Sequence, residues 1–187
     1  WYRYHHLFAD MLRTRLASSM PADDQAALHL RASRWYEQHG LFSESVQHAQ
    51  HAQDVERVIG MIEQHGLTTA LRGQLSTVRG WLEALPEALI RSRPQLCTLH
   101  ATLLASTNQL RAAEARLDDA EQAIAADRGN DHQGSMHGQV TLLRANMAYI
   151  AGDLSRSMLL AQQALDLLPE SDAIGRGAAM VSLAHAY

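Results

Sequence analysis

The chain has 187 residues, 47% of them hydrophobic but only 5% aromatic, and a net charge of −4 with its histidines neutral. A core must therefore come from Ala, Leu, Ile, Val and Met, which suits packed helices better than a β-sandwich, and no arginine or lysine run offers the clustered charge that phosphate binding needs. A single cysteine, Cys97, excludes an internal disulfide framework and fits a reducing cytosol; no stretch approaches the ~18 apolar residues of a membrane span.

The first segment, "WYRYHHLFADMLRTRL", is too polar for a signal peptide. Tyr4, Leu7, Phe8, Met11, Leu12 and Leu16 recur at helical spacing and predict one buried stripe, with Arg3, Asp10, Arg13 and Arg15 left near water. "SSMPADD" follows. Pro21 suits a helix's first turn, Asp23 and Asp24 suit its positive end, and a second helix is expected from about Asp23 to His39.

Gly40, Gly73, Asn108 and Gly152 then each divide two amphipathic runs, and glycine and asparagine are the residues that accept a left-handed C-cap most readily. Gly40 to Gly73 is 33 positions, Gly73 to Asn108 is 35 and Asn108 to Gly152 is 44. The first two match the period of about 34 residues of a tetratricopeptide (TPR) hairpin. The excess in the third falls in "DRGNDHQGSMHG", Asp127 to Gly138, which reads as a lengthened loop. Within Gly138–Pro169, the small residues Ala145, Ala148, Ala161 and Ala164 mark where two helices lie close, with Leu165 beside them, and Pro169 stops the second helix. Ala101, Leu104, Ala113, Leu117 and Ala120 do the same around Asn108; Trp35, Tyr36, Phe42, Ala49 and Ala52 around Gly40. Pro86 shortens the second helix after Gly73. Ala173–Tyr187 reads as the first helix of a further repeat without its partner, so the natural protein is expected to continue. The expected fold is all-α: a TPR-like helical-hairpin superhelix, that is, a right-handed αα solenoid.

Three stretches resemble the large ATP-dependent LuxR-type transcriptional regulators of the MalT kind: "YRYHHLFADMLRTRL", "ASRWYEQHGLFSESVQHA" and "WLEALPEALIRSRPQLCTLHATLL". Their order and rough spacing match as well. The resemblance implies that residues 1–20 end a winged-helix module as a linking helix and that 21–187 begin a TPR-like sensor. Tyr4, His6, Phe8 and Met11 would then couple the two. It also implies an ATPase module upstream and a DNA-binding helix-turn-helix downstream. Here there is no G-x-x-x-x-G-K-[ST] phosphate loop and no basic recognition helix. No cofactor is therefore expected in these residues; ATP and DNA are expected only in modules outside them. Implied partners are a small-molecule inducer or regulatory protein, the neighbouring modules and a second copy of the protein, with no membrane.

Candidate chemistry is sparse. His5 and His6 point about 100° apart on a helix; His6 and Asp10 supply two metal ligands without a third. A packed or capping role fits them better. His48 and His51 share a helix edge that reads as solvated, and His132 and His137 fall in the long loop. Cys97 precedes His100 by three residues, the spacing of a nucleophile and its base, but "LCTLHATLLA" around them is a packing environment. Asp23/Asp24 read as a helix start, Asp118/Asp119 as a solvated face, and Arg3, Arg13 and Arg15 as a contact with a neighbouring module rather than with DNA. Catalysis is not expected.

In stacked hairpins the first helix of each lines the inner groove. That places Gln95, Thr98, Thr102 and Ser106 of one repeat and Gln139, Leu142, Asn146, Tyr149 and Ile150 of another as binding candidates, a mixed lining suited to a small polar inducer or a peptide. The competing interpretation is a stand-alone TPR-like scaffold for protein peptides. A histidine-dependent metalloenzyme lacks a ligand set.

Overall fold

The structure, a computed structural model, describes residues 6–126 and 133–184. Among them are eleven helices and no strand: α1 His6–Ser19, α2 Ala22–Gln38, α3 Phe42–His51, α4 Val55–Leu71, α5 Leu75–Glu83, α6 Glu87–Ser92, α7 Pro94–Ser106, α8 Leu110–Ala126, α9 Gln133–Ile150, α10 Leu154–Leu167 and α11 Ala173–Ala184. The fold is all-α, as the composition requires. The chain divides into two compact units, Trp1–Gly66 and Leu67–Tyr187.

The turns follow one rule. Gly40, Gly73, Asn108 and Gly152 all have positive φ, at 70°, 84°, 59° and 81°. Each turn closes with the same two bonds. Gly40 N donates to Glu37 O at 3.0 Å and Leu41 N to Tyr36 O at 2.9 Å; Asn108 N donates to Ala105 O at 3.0 Å and Gln109 N to Leu104 O at 2.9 Å. This is the Schellman closure, which satisfies the last carbonyls of one helix while the next begins.

A fifth such turn sits at Gln53, with φ 56°, between α3 and α4, where Gln53 N donates to Gln50 O at 2.9 Å and Asp54 N to Ala49 O at 3.2 Å. A Cβ in this conformation costs about 1–2 kcal/mol that glycine avoids. Gln53→Gly is therefore expected to stabilise the protein by about 0.5–1 kcal/mol after glycine's own entropy cost. A higher urea midpoint is the expected result; an unchanged or lower one overturns it.

In the first unit α2 packs on α3, with Val46 and Ala49 fully buried. A polar chain runs through this packing. Ser33 and Ser45 are both fully buried. Ser45 Oγ donates to Ser33 O at 2.8 Å, Ser33 Oγ lies 3.1 Å from Ser45 Oγ, and Arg57 Nε donates to Ser33 Oγ at 2.7 Å. Arg57 Nη2 also meets Glu37 Oε2 at 2.7 Å. Trp35 is half out in solvent and stacks on His39, with ring centroids 3.9 Å apart.

Of the stripe expected to be buried on α1, the described side chains are largely exposed. Phe8, Met11, Leu12 and Leu16 are 37–53% exposed, and α1 touches α2 only slightly. Tyr4 and His5, and the side chains of His6, Leu7 and Asp10, lie outside the described residues. Helical spacing predicts a stripe but does not supply the surface that would cover it.

In the second unit α7 packs on α8 and α9 on α10, with α11 against α10 and α9. Cys97, Ala101, Ala113, Leu117, Ala120 and Val140 are fully buried in one core; Ala164, Leu168 and Ala179 form another with Leu142. Ala145, Ala148 and Ala161 are buried as predicted. Small side chains let the helix axes approach at these crossings. α5 ends at Glu83 ahead of Pro86, and α10 ends two residues before Pro169. The expected loop, 127–138, is corrected in its second half: α9 already starts at Gln133, while 127–132, including His132, lie outside the described residues. Gly138 is a helical residue at a close approach, because a Cβ there would meet Leu168 Cγ and Cδ2 at 2.8 Å.

Asp118 and Asp119 are not simply a solvated face. Arg144 of α9 reaches α8 and binds Glu114 at 2.9 Å, Asp118 at 2.7 Å and Glu121 at 2.5 Å. Asp119 binds Arg116 at 3.1 Å. Both aspartates are structural ion-pair partners.

Candidate functional site

The predicted groove residues stand in different settings among the described residues. Gln95 is exposed at the start of α7. Thr98 and Thr102, half-buried, donate their hydroxyls to Pro94 O at 2.8 Å and Thr98 O at 2.9 Å, so each is already engaged on its own helix. Leu142 is buried in the core with Ala164 and Leu168. Asn146 Oδ1 accepts from Ser182 Oγ at 2.9 Å. Tyr149 is 43% exposed. Gln139 borders a cavity of about 610 Å³ with Ser135, Leu167 and Asp172.

A more enclosed cavity, of about 440 Å³, lies between α5, α6 and α7. Pro86 creates it by ending α5 and turning the chain into short α6, after which Pro94 at the first turn opens α7. α5 supplies Arg79, Leu82 and Glu83; the turn supplies Leu85; α6 supplies Glu87 and Ile90; α7 supplies His100, Leu103 and Leu104. Leu82, Leu85, Ile90 and Leu103 are buried and form an apolar floor. The rim is charged.

Glu87 is bound by Arg116 and by Arg91, which donates from Nε at 3.0 Å. The Arg116 hydrogen bond, helped by Arg91, holds its carboxyl below the usual range. Arg79 and Glu83, one turn apart on α5, form no ion pair with any described residue. His100 Nδ1 is buried and has no hydrogen-bond partner among the described residues. Burial, reinforced by the Arg116 and Arg79 charges, pushes the imidazole below its ordinary pKa and keeps it neutral near pH 7.

Cys97 and His100 are not a nucleophile pair. Cys97 Sγ donates to Ile90 O at 3.1 Å, and burial pushes the thiol up to about 11, so no thiolate is present at neutral pH. His100 faces the cavity instead.

His48 is also corrected. It does not lie on a solvated edge: its Nδ1 is 2.8 Å from His29 Nδ1, and its ring stacks on Tyr36 at 5.2 Å. His51 lies 5.0 Å from His29 by ring centroids and is itself exposed. Among the described residues no group of three or more His, Cys, Asp and Glu is placed to hold a metal ion.

Burial, and then the nearby His51, lower the pKa of His29; burial likewise lowers His65, against the opposing pull of Glu37. With His100 lowered too, the unfolded chain takes up more protons than the folded one once pH falls below the ordinary value of 6.5. Stability should be full above about pH 6.5 and decline as pH falls below it. Urea midpoints measured at pH 7.5 and 5.5 test this, and a flat or rising trend toward acid overturns it.

The described residues thus define an all-α protein with a charged, apolar-floored cavity in its second unit, and no described helix is long and apolar enough to cross a membrane. No family profile matches the chain, and no solved structure does. Over 173 residues, 90% of its length, it is 31% identical to the HTH-type transcriptional regulator MalT of Klebsiella pneumoniae (strain 342). The chain spans 18% of that regulator's length. The resemblance stated from three motifs is therefore a similarity carried through nearly the whole chain.

The sequence singled out neither Arg79 nor Glu83, and it treated His100 only as a partner for Cys97. The available signal was an unpaired Arg–Glu step on the face of α5 next to buried Trp81 and Leu82.

Proposed function

We propose that this chain is the signal-receiving and coupling segment of a MalT-like, ATP-dependent transcriptional activator. Its helical hairpins, continued as a right-handed TPR-like superhelix, would bind a small-molecule inducer or a regulatory protein in the cytoplasm. ATP hydrolysis and DNA binding would belong to other modules of such a protein, which can assemble with further copies of itself. The observation that carries this is the 31% identity over 173 residues to a transcriptional regulator. The exposed apolar side chains of Phe8 and Met11 support α1 as the element that meets a neighbouring module, with Tyr4 and His6 on the same segment.

Coupling requires the effector to bind two packing states unequally. The test has two parts. A metabolite screen by thermal shift should find an effector that raises the midpoint by about 5 °C at a hundredfold excess over Kd. Hydrogen exchange with that effector should then change protection in α1 as well as at the binding helices. No effector removes the sensing role; an effector that leaves α1 unchanged removes the coupling role.

A further inference from the structure

We propose that the cavity walled by Arg79, Glu83 and His100 is an effector site for a small zwitterion of the amino-acid type. The proposal rests on the sensor function above and gives it a location and a ligand chemistry.

The charges come first. Arg79 precedes Glu83 by four residues on α5, so their side chains leave the same face about 6 Å apart. Cation before anion is the weaker order for such a pair along a helix. No ion pair forms between them or with any other described residue. Each charge is therefore available to a ligand. A guanidinium is a planar two-point donor for a carboxylate, and Glu83 is an acceptor for an ammonium group. Glu87, on α6, is already bound by Arg91 and Arg116, which leaves Glu83 as the ammonium seat.

His100 adds a neutral polar ring to the wall. Its Nδ1 is buried without a partner, an exception among buried polar atoms. The ring adds no charge at neutral pH, so it suits a neutral hydroxyl or amide on the ligand's side chain. Leu82, Leu85, Ile90 and Leu103 cover the remaining apolar surface.

Other ligand classes fit less well. No Phe, Tyr or Trp lines the cavity, so its only aromatic surface is the His100 imidazole, less than the stacking platforms that nucleobase sites use. One unpaired arginine is too little for a polyphosphate, which calls for clustered cations. The volume of about 440 Å³ lies within the range of small-molecule sites.

The test is titration calorimetry of the 187-residue chain with L-serine, L-threonine, L-asparagine and L-glutamine. Succinate, glucose and AMP are run beside them. At least one of the amino acids should bind, and its methyl ester and N-acetyl derivatives should bind about tenfold more weakly or worse. Arg79→Ala and Glu83→Gln, both at exposed positions, should keep the wild-type melting curve and lose binding to the same degree. His100→Leu, which removes an orphaned polar atom, should fold and also bind more weakly.

Binding that survives Arg79→Ala and Glu83→Gln overturns the site. Binding of succinate, glucose or AMP that Arg79→Ala abolishes overturns the zwitterion class but leaves the sensor standing. If none of these probes binds while the wider screen finds another effector, the proposal fails alone. If that screen is empty too, the sensor function fails with it.

Discussion

Replacing Gly138 with alanine is expected to lower the urea midpoint of the chain, and replacing it with valine to lower it further. Gly138 is buried in α9 where α10 ends. An added Cβ would stand 2.8 Å from Leu168 Cγ and Cδ2 and 3.1 Å from Leu168 N. Two of those atoms belong to a branched side chain that is 3% exposed and packed with Leu142, Ala164 and Ala179. The third is backbone, fixed by its 2.8 Å bond to Ala164 O. Neither can retreat cheaply. Alanine gains about 1 kcal/mol of helix propensity over glycine, while overpacking a filled site costs about 1–3 kcal/mol. The net loss for alanine is about 1 kcal/mol, and for valine, with less propensity and two more methyl groups, about 3 kcal/mol. Gly60 in α4 is the control, because nothing lies within 4 Å of its added Cβ. Gly60→Ala should therefore stabilise by about 0.5–1 kcal/mol. Two Gly→Ala changes of equal chemistry should move the midpoint in opposite directions. A stabilising Gly138→Ala would mean that the close approach of α9 to Leu168 does not exist.

That contrast shows what was legible in the sequence. A glycine that ends a helix announces itself through its neighbours, so Gly40, Gly73 and Gly152 could be placed from the string, and Asn108 with them. Gly138 sits in a run of Gly, Asp and Asn that looks like a loop. What makes it a packing residue is Leu168, 30 positions away, and no local pattern reports that distance. Gln53 was missed for the opposite reason: its backbone takes the left-handed conformation although its side chain gives no sign of it. The alanine crossings were legible because burial at helical spacing is local information. The site was not, since its walls come from α5, α6 and α7, and only the two proline-directed turns bring Arg79 and His100 to one cavity. His48 likewise looked solvated until α2 delivered His29 to it.

Arg57→Ala is expected to destabilise the first unit by about 2–3 kcal/mol, although "DVERV" reads as an ordinary exposed helix start. Asp54 caps that start by accepting from Arg57 N at 3.0 Å, which fixes the arginine at the first turn of α4. Its side chain then reaches α2, where Nε serves Ser33 Oγ and Nη2 serves Glu37, both at 2.7 Å. Ser33 and Ser45 are fully buried and already use their own hydroxyl hydrogens, Ser45 toward Ser33 O and Ser33 toward Ser45 Oγ. Ser45 Oγ, the other hydroxyl within reach of Ser33 Oγ, is engaged with Ser33 O, so removing the guanidinium leaves a buried acceptor short and Glu37 without its close cation. His65, 3.9 Å from Glu37, does not replace it, because burial favours the neutral imidazole. The arginine side chain is 19% exposed and the glutamate 29%, so solvent screens the pair only in part. Arg57→Lys should recover less than half of the loss, since one ammonium cannot hold the geometry of two separate donors. A double-mutant cycle with Glu37→Gln should show a coupling of about 1 kcal/mol or more. If Arg57→Ala stays within about 0.5 kcal/mol of the parent in urea melts, the polar chain from α4 to α2 does not stabilise the unit. The packing of Val46 and Ala49 would then have to hold α2 and α3 together without it.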